Sequence, residues 1–295
     1  VFGHTLCELA AENKAIVGIT PAMVTGSSLH YMQQQFPART FDVGIAEEHA
    51  VTFAAGLATQ GLLPFLVIYS TFLQRSYDQL IHDVALQQLK VIFCIDRAGL
   101  VGEDGATHQG VFDIAYLRCI PHIEIFAPRN EVELRNILYT AQLPEQDKAL
   151  AIRYPRGYGQ LTVWQLPFEK IEKKGVQLRE GTRYAVLSVG TIADEVAQEI
   201  NQHPEAEAFA HYDMRWIKPL DEELLHHVLK KYQAVITVEE GCKAGGFGES
   251  IVVFAKEKGY SLPIRIVAIA DVFVEHGSVA LQRAFTGLTN FLAEK

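Results

Sequence analysis

The sequence has 295 residues, of which 49% are hydrophobic and 21% are charged, and its formal net charge at pH 7 is −9. This composition excludes a disordered chain and indicates a globular protein with room for two domains of ordinary size. The negative charge argues against nucleic acid as a general partner, because no basic stripe is present to neutralise phosphates.

The cysteines and the start of the chain indicate its cellular setting. Cys7, Cys94, Cys119 and Cys242 form no CxxC pair, which predicts reduced thiols without disulfides or a zinc site. No apolar run is long enough to span a bilayer and no secretory signal opens the chain, so we expect a cytoplasmic protein without a membrane partner. The helical periodicity at Val1 has no start signal, which predicts a fragment cut within a helix.

Residues 1–160 alternate between strand and helix patterns. Strands are predicted at 15–20, 42–45, 63–70, 90–96, 122–127 and 150–154, and helices at 27–36, 46–60, 72–88 and 131–142. Near-continuous apolar strands separated by helices indicate a parallel sheet that is covered on both faces. Ligands of such sheets sit at the carboxyl ends of strands, so residues directly after Ile45, Ile68 and Ile95 are candidate site positions.

A polar stretch is predicted to separate two domains. We place the first domain at residues 1–160, a linker at 161–180 and the second domain at 181–295. In the second domain, strands are predicted at 184–189, 206–212, 234–239 and 264–268, and helices at about 191–202, 221–231, 245–258 and 277–286. The glycine-rich segment 241–248 matches neither the dinucleotide fingerprint nor the P-loop spacing, which favours a tight turn. The predicted fold class is α/β, with two doubly wound, mainly parallel-sheet domains.

The stretch Phe41-Asp-Val-Gly-Ile-Ala-Glu-Glu-His-Ala is the centre of the predicted site. A short strand is predicted to pass here directly into a helix of small residues, and Glu47 lies in the first turn of that helix. Acidic residues also favour helix N-termini because the helix dipole attracts negative charge, so this position alone fits a structural role as well. The segments that follow favour a functional role.

Aromatic and cationic residues follow the strand predicted at 63–70. Tyr69, Phe72 and Arg75 leave the end of this strand, where side chains of a ligand site are expected. The alternative is a helix cap followed by core packing, in which Phe72 is simply buried.

The loop from Arg97 to Gly110 is rich in glycine yet carries Glu103, Asp104 and His108. Charged groups are unfavourable in a purely structural connection, whereas catalytic groups concentrate on loops that a rigid sheet positions. The loop therefore favours function. Arg156, in Tyr-Pro-Arg-Gly, adds a second guanidinium that can join Arg97 on a phosphate or a carboxylate.

Four segments together resemble a known enzyme family. They are Phe41-Asp-Val-Gly-Ile-Ala-Glu-Glu-His-Ala-Val-Thr-Phe-Ala-Ala-Gly, Ile68-Tyr-Ser-Thr-Phe-Leu-Gln-Arg-Ser-Tyr-Asp-Gln, Asp96-Arg-Ala-Gly-Leu-Val-Gly-Glu-Asp-Gly-Ala-Thr-His-Gln-Gly and Tyr154-Pro-Arg-Gly. They resemble the 1-deoxy-D-xylulose-5-phosphate synthases, thiamine-diphosphate-dependent members of the transketolase group. The resemblance covers the whole chain as a pyrimidine-binding domain and a C-terminal domain. It implies condensation of pyruvate with D-glyceraldehyde 3-phosphate and release of CO2, feeding isoprenoid and thiamine synthesis.

The resemblance assigns roles on the cofactor side. Glu47 matches the catalytic glutamate that hydrogen-bonds N1′ of the aminopyrimidine and so promotes deprotonation of the thiazolium carbon. Phe72 matches the aromatic residue that stacks on the pyrimidine. Tyr69 and Arg75 match residues that line the same site.

The resemblance also assigns roles on the substrate side. Tyr69, Arg97 and Arg156 match the groups that hold the phosphate of glyceraldehyde 3-phosphate. His108, with Asp104 nearby, matches polar groups beside the reacting carbons, where a proton must move. Both are therefore predicted to be catalytic, and His108 also to contact substrate. No metal ligand is predicted in this chain.

Two departures from the family pattern matter. Glu48 stands where many relatives have glutamine, and we expect little effect from this change. The family's N-terminal domain, which binds Mg2+ and the cofactor diphosphate, has no counterpart in the sequence. Mg2+ is therefore expected to act through that missing domain, and the chain to be inactive alone. The resemblance also implies a homodimer.

Other kinds of protein remain as alternatives. The β chain of a 2-oxo-acid dehydrogenase first component, or the C-terminal subunit of a split transketolase, would also explain a separate chain of this length. The loop from Arg97 to His108 and the Tyr154-Pro-Arg-Gly segment favour the synthase. A non-catalytic module that kept an old fold would be favoured by replacement of Glu47, Phe72 or His108, and all three are present.

Overall fold

The computed structural model describes residues 1–292 and contains two mainly parallel β-sheets flanked by helices, which confirms the α/β class. The strands are β1 (Ile16–Thr20), β2 (Thr40–Asp42), β3 (Leu63–Tyr69), β4 (Ile92–Asp96), β5 (Ile123–Phe126), β6 (Ala149–Arg153), β7 (Val176–Arg179), β8 (Tyr184–Ser188), β9 (Phe209–Asp213), β10 (Trp216–Lys218), β11 (Ala234–Cys242) and β12 (Ile264–Ile269). The α-helices are α1 (Phe2–Glu12), α2 (His30–Gln35), α3 (Glu47–Thr59), α4 (Ser70–Leu73), α5 (Tyr77–Gln79), α6 (Asp113–Arg118), α7 (Glu131–Gln142), α8 (Ala193–Gln202), α9 (Glu222–Lys231), α10 (Phe247–Glu257) and α11 (Val279–Thr286).

The first sheet has seven strands in the order β10-β5-β6-β4-β3-β1-β2. All neighbours pair in parallel except β10, which runs antiparallel to β5. Every residue of β1, β4, β5 and β6 is buried, as expected for apolar strands that helices cover on both faces. The carboxyl ends of the parallel strands therefore meet at one edge of the sheet.

The second sheet has five strands in the order β12-β11-β8-β9-β7, with β7 antiparallel to β9. β7 lies within the segment 161–180 that the sequence marks as a linker. The preceding residues 161–175, all of them described, contain neither helix nor strand. They nevertheless lie against α7, where Thr140 Oγ1 accepts a 2.8 Å hydrogen bond from the backbone N–H of Ile171.

The two sheets are interlocked through β10, which comes from the second half of the chain but completes the first sheet. Trp216 of β10 is fully buried, and its ring meets the ring of Phe126 with centroids 5.0 Å apart. One hydrophobic cluster also contains residues of both halves, among them Phe93, Leu187 and Phe247. The two halves therefore share buried structure. None of the described helices combines the length and the apolar character needed to cross a membrane.

The strand predicted at 206–212 begins only at Phe209, after a 3₁₀ turn, and the helix predicted at 27–36 begins only at His30. Two other predicted elements differ more. The strand expected at 42–45 is wrong beyond Asp42, where β2 ends, and Gly44 in the following loop has φ +73°, a conformation that glycine adopts without strain. The helix expected at 72–88 is broken into short α, 3₁₀ and π segments. Ser76 interrupts it with φ −103° and ψ 23°, and its hydroxyl donates to the Leu73 carbonyl, a local bond that competes with the helix ladder. The predicted turn within 241–248 is present between β11 and α10.

Candidate active site

The carboxyl edge of the first sheet gathers residues that are far apart in sequence. Tyr69 is the last residue of β3, Arg97 directly follows β4, and Arg156 lies shortly after β6. Glu47 begins α3 after the loop that follows β2. Because β6, β4, β3, β1 and β2 are successive neighbours, these residues meet at one edge, as the topology of parallel sheets leads us to expect.

Glu47 is a buried carboxylate at the start of α3. Its side chain is 4% exposed, and Nη1 of Arg75 donates a 2.5 Å hydrogen bond to its Oε1. Burying a charged group is unfavourable unless it is paired, and Arg75 provides that partner. Within residues 1–292, Glu47 Oε2 has no hydrogen-bond partner. One carboxylate oxygen thus remains for a ligand.

Three aromatic rings lie beside this ion pair. Phe72 stacks on Tyr69 with ring centroids 5.8 Å apart, and His108 meets Phe72 edge-on at 5.4 Å. The guanidinium carbon of Arg75 lies 4.9 Å from the Phe72 centroid, so the rings and the Glu47 ion pair are contiguous. An aromatic face next to a few polar groups is the usual lining of a site for a planar heterocycle.

Two arginines share one carboxylate on the other side of Tyr69. Nε of Arg97 lies 3.2 Å from Oδ2 of Asp104, and Nε of Arg156 lies 3.3 Å from the same oxygen. Arg97 also donates from Nη1 to Asp96 at 3.2 Å and lies 3.7 Å from the Tyr69 ring centroid. In the described part of the chain, Nη2 of Arg97 and both terminal nitrogens of Arg156 have no hydrogen-bond partner. These nitrogens can therefore bind an anion.

All eight residues that the sequence analysis assigned to the site belong to one set of contacts, which we call the site chain. The site chain consists of Glu47, Arg75, Phe72, His108, Tyr69, Arg97, Asp104 and Arg156. The structure brings these residues together, and their individual roles remain predictions.

The structure adds three residues to which the sequence analysis gave no role. Asp96, the last residue of β4, is 8% exposed, and burial raises its pKa to about 6 against the opposing charge of Arg97. Oγ1 of Thr107 lies 2.9 Å from Nδ1 of His108. Gly26 makes room for Tyr69, because a Cβ there would lie 2.0 Å from the phenol oxygen. Of these three residues, only Asp96 had a signal in the sequence that could have identified it, namely a carboxylate at the end of an apolar strand.

A groove of about 620 Å³ adjoins the site chain between the first sheet and the helices α8 and α11. Arg97 and Arg156 form part of its wall, whereas Glu47, Phe72 and His108 do not line it. The groove therefore reaches the arginine end of the site chain and not the carboxylate end. We place the candidate active site at the site chain, because that is where the buried carboxylate, the imidazole and the aromatic face occur together.

Known protein families provide an independent comparison. Residues 1–160 match the family described as "Transketolase, pyrimidine binding domain", and residues 173–290 match "Transketolase, C-terminal domain". The chain belongs to the transketolase family. The resemblance inferred from the sequence motifs is thereby confirmed for the family and for the fold.

Within the transketolase family, the chain is similar to 1-deoxy-D-xylulose-5-phosphate synthases of several bacteria. It is 54% identical over 283 residues to the synthase of Bacteroides fragilis, an alignment that covers 95% of this chain and 43% of that protein. It is 51% identical over 290 residues to the synthase of Porphyromonas gingivalis, covering 98% of this chain and 46% of that protein. The chain therefore spans less than half the length of these relatives.

Two solved transketolase structures are also similar. One, described as a split gene transketolase in an inactive β4 tetramer, superposes with a TM-score of 0.84 at 29% identity and covers 98% of this chain and 92% of that chain. The transketolase of Campylobacter jejuni superposes with a TM-score of 0.79 at 19% identity, covering 100% of this chain and 46% of that one. The split gene transketolase chain has a length similar to that of this chain. The similarity to the Campylobacter jejuni structure shows the fold alone.

Proposed function

We propose that this chain is the C-terminal part of a 1-deoxy-D-xylulose-5-phosphate synthase, which condenses pyruvate with D-glyceraldehyde 3-phosphate and releases CO2. The observation that carries the proposal is the site chain, in which a buried carboxylate, an aromatic face and paired arginines are contiguous. The 54% identity to the synthase of Bacteroides fragilis supports it.

The cofactor in this proposal is thiamine diphosphate, which supplies a nucleophilic thiazolium carbon and an electron sink for decarboxylation. The residues at the carboxylate end of the site chain fit its aminopyrimidine. Glu47 would hold a proton at N1′ through the oxygen that Arg75 leaves without a partner. Phe72 would offer its ring to the pyrimidine, and its contacts with Tyr69 and His108 hold that ring in place.

The arginine end of the site chain fits the phosphate of glyceraldehyde 3-phosphate. Arg97 and Arg156 converge on Asp104, which keeps two like charges close together before a substrate binds. Their remaining terminal nitrogens would donate charge-assisted hydrogen bonds to phosphate oxygens. His108 lies between the two ends of the site chain, where a proton must move as the new carbon–carbon bond forms.

The diphosphate and Mg2+ are assigned in this proposal to a part of the protein outside these residues. No group of three or more His, Cys, Asp or Glu side chains suited to a metal ion occurs within residues 1–292. The relatives are more than twice as long as the matched region, which leaves room for such a domain. We propose that the chain is inactive without that domain. We also propose that the complete enzyme is a homodimer, and sedimentation of the complete protein would test its oligomeric state.

A second candidate function is that of the C-terminal subunit of a split transketolase. The observation in its favour is the split gene transketolase chain, since 98% of this chain superposes on 92% of that one. The loop from Arg97 to His108, the Tyr154-Pro-Arg-Gly segment and the 54% identity to the synthase of Bacteroides fragilis favour the synthase over this second candidate.

Product analysis distinguishes the two functions. The assay uses the complete protein, which contains this chain and its diphosphate-binding part. One sample receives 13C-labelled pyruvate with glyceraldehyde 3-phosphate, and a second sample receives a ketose phosphate with an aldose phosphate. We expect labelled 1-deoxy-D-xylulose 5-phosphate and CO2 from the first pair and no product from the second. Transfer of a two-carbon unit from the ketose without CO2 release would contradict the synthase and support the split transketolase.

A further inference from the structure

The loop from Arg97 to Gly110, which we call the site loop, is held along its length by the second half of the chain. The backbone N–H of Leu100 donates to Oε1 of Glu240 at 3.3 Å. Nε2 of Gln109, at the other end of the site loop, donates to the carbonyl of Val274 at 3.2 Å. The site loop carries Arg97, Asp104 and His108, so its anchoring bears directly on the substrate end of the site.

The central anchor of the site loop is Gln282 on α11. Its side-chain Oε1 accepts a 2.9 Å hydrogen bond from the backbone N–H of Gly102, and its Nε2 donates to the Gly102 carbonyl at 3.1 Å. Nε2 also donates to the carbonyl of Glu275 at 2.8 Å. The amide of Gln282 thus satisfies both backbone groups of one site-loop residue, and it is fixed in turn by its own segment.

The orientation of α11 is the reverse of that expected for a helix on a hydrophobic core. Gln282 is 3% exposed, whereas Leu281 and Phe285 of the same helix are 68% and 67% exposed. An amphipathic helix normally buries its apolar face. In α11 a polar side chain is turned inward instead, toward the site loop, which is unfavourable unless its hydrogen bonds are made.

The backbone of Gly102 lies close to α11. It has φ +66°, and a Cβ at this position would lie 3.2 Å from Cγ2 of Val279 on α11, so its backbone lies directly against the helix. Gly102 begins the 3₁₀ turn that ends at Asp104. Asp104 pairs with both Arg97 and Arg156, so the contact of Gly102 with α11 lies two residues from the carboxylate that holds both guanidinium groups.

We propose that Gln282 is a positioning residue: it fixes the Gly102 backbone and thereby sets Asp104 and the arginine pair for the substrate phosphate. The inference deepens the proposed function and rests on it for the identity of the anion. It also gives the second domain, which supplies none of the eight residues of the site chain, a defined part in the reaction.

The test uses the chain itself, labelled with 15N, and needs neither cofactor nor substrate. Gln282→Met keeps the length of the side chain but removes its hydrogen bonds, and Gln282→Glu keeps only the acceptor. Gln202→Met, at an exposed glutamine that ends α8, is the matched control. Two quantities are measured: the hydrogen-exchange rate of backbone amides, and the Nε–Hε signal of Arg97, which reports its contact with Asp104.

In Gln282→Met we expect the Gly102 amide to exchange at least about tenfold faster, since a buried N–H loses its acceptor, while amides of β4 keep their rates. The Arg97 Nε–Hε signal should shift as well. Gln282→Glu should protect the Gly102 amide more than Gln282→Met does but should also shift the Arg97 signal, because it cannot donate to the Gly102 carbonyl. Gln202→Met should change neither quantity.

Three outcomes would overturn the proposal. One is an unshifted Arg97 signal in both Gln282 variants, which would make the contact merely structural. Another is equal acceleration of all amides, which would mean loss of global stability alone. If neither variant folds, the unmodified chain still decides, because an unprotected Gly102 amide there would show that the contact is not formed. Failure of the synthase proposal would appear instead as absence of 1-deoxy-D-xylulose 5-phosphate in the product analysis. The expected changes in the Gln282 variants would still be seen in that case.

Discussion

Nη1 of Arg75 lies 2.5 Å from Oε1 of Glu47, in an ion pair whose carboxylate is 4% exposed and whose guanidinium is 51% exposed. The asymmetry matters because the exposed partner can be hydrated if the buried one is removed. We therefore expect the ion pair to contribute little to the free energy of unfolding, although Glu47 is central to the proposed chemistry.

Glu47→Gln should consequently separate folding from catalysis. We expect the free energy of unfolding to fall by about 1 kcal/mol or less, as for other partly exposed ion pairs. In the complete protein, exchange of the thiazolium C2 proton with deuterated water, followed by NMR, should slow by about 100-fold or more, since a group that holds a proton is lost. Glu48→Gln, at the exposed neighbouring position, is the control. Near-normal exchange in Glu47→Gln would remove Glu47 from the mechanism.

The two arginines should respond differently to replacement by methionine. Arg156 is 44% exposed and Arg97 only 17%, and Arg97 pairs with Asp96 as well as with Asp104. Arg156→Met should therefore leave stability nearly unchanged, whereas Arg97→Met should lower it by leaving a buried carboxylate without its partner.

Both replacements should weaken binding of glyceraldehyde 3-phosphate by about tenfold or more, the usual effect of a lost charge-assisted hydrogen bond. The affinity for pyruvate should change much less, because pyruvate carries no phosphate. Arg183→Met, which removes an exposed guanidinium paired with Glu205, is the control. Kinetics with each substrate varied in turn measure the effect. An equal loss for both substrates would mean that the arginines do not act on the phosphate.

Asp96 should make stability depend on pH in a defined window. Its pKa is about 6 in the folded chain against an ordinary value of 3.8, so folding is favoured by the protonated form. Below pH 3.8 this contribution is fully present, and it is lost as the pH rises to about 6. Asp96→Asn removes the ionisation, so its stability relative to the unmodified chain should rise across this window by at most about 3 kcal/mol. Urea unfolding at several pH values measures the difference. A stability difference between Asp96→Asn and the unmodified chain that stays constant with pH would contradict the assignment.

Trp216 should couple the stability of the two sheets. It is fully buried on β10, and its Nε1 donates a 2.9 Å hydrogen bond to the Glu172 carbonyl. Trp216→Ala should lower the free energy of unfolding by about 3–5 kcal/mol, as expected for deletion of a large buried side chain. Hydrogen exchange should then accelerate together in β4 and β8, because β10 completes the first sheet and follows directly after β9 of the second sheet. Trp164→Ala, in the irregular segment 161–175, is the control, and acceleration confined to one sheet would show that the halves unfold separately.

Much of the fold and of the site was predictable because the signals were local. Buried parallel strands are apolar along their whole length, and residues after their carboxyl ends are natural site candidates, which led to Tyr69 and Arg97. β10 was missed because a three-residue strand has no periodicity to detect, and its partner β5 is distant in sequence. Gln282 was missed for a similar reason: nothing in the sequence near α11 indicates a contact with Gly102. The break at Ser76 depends on one local hydrogen bond that the apolar pattern of 72–88 conceals.

The central proposal is that the site chain holds the aminopyrimidine and phosphate ends of a synthase site, and that the diphosphate end lies in another part of the protein. Titration calorimetry of the purified chain with thiamine diphosphate and Mg2+ tests it most directly. Most of the affinity for this cofactor should come from its anionic end, where a divalent ion is the largest local charge. The account predicts no binding at micromolar concentrations of cofactor. A dissociation constant in the micromolar range or below would contradict it, since a diphosphate site would then lie within this chain.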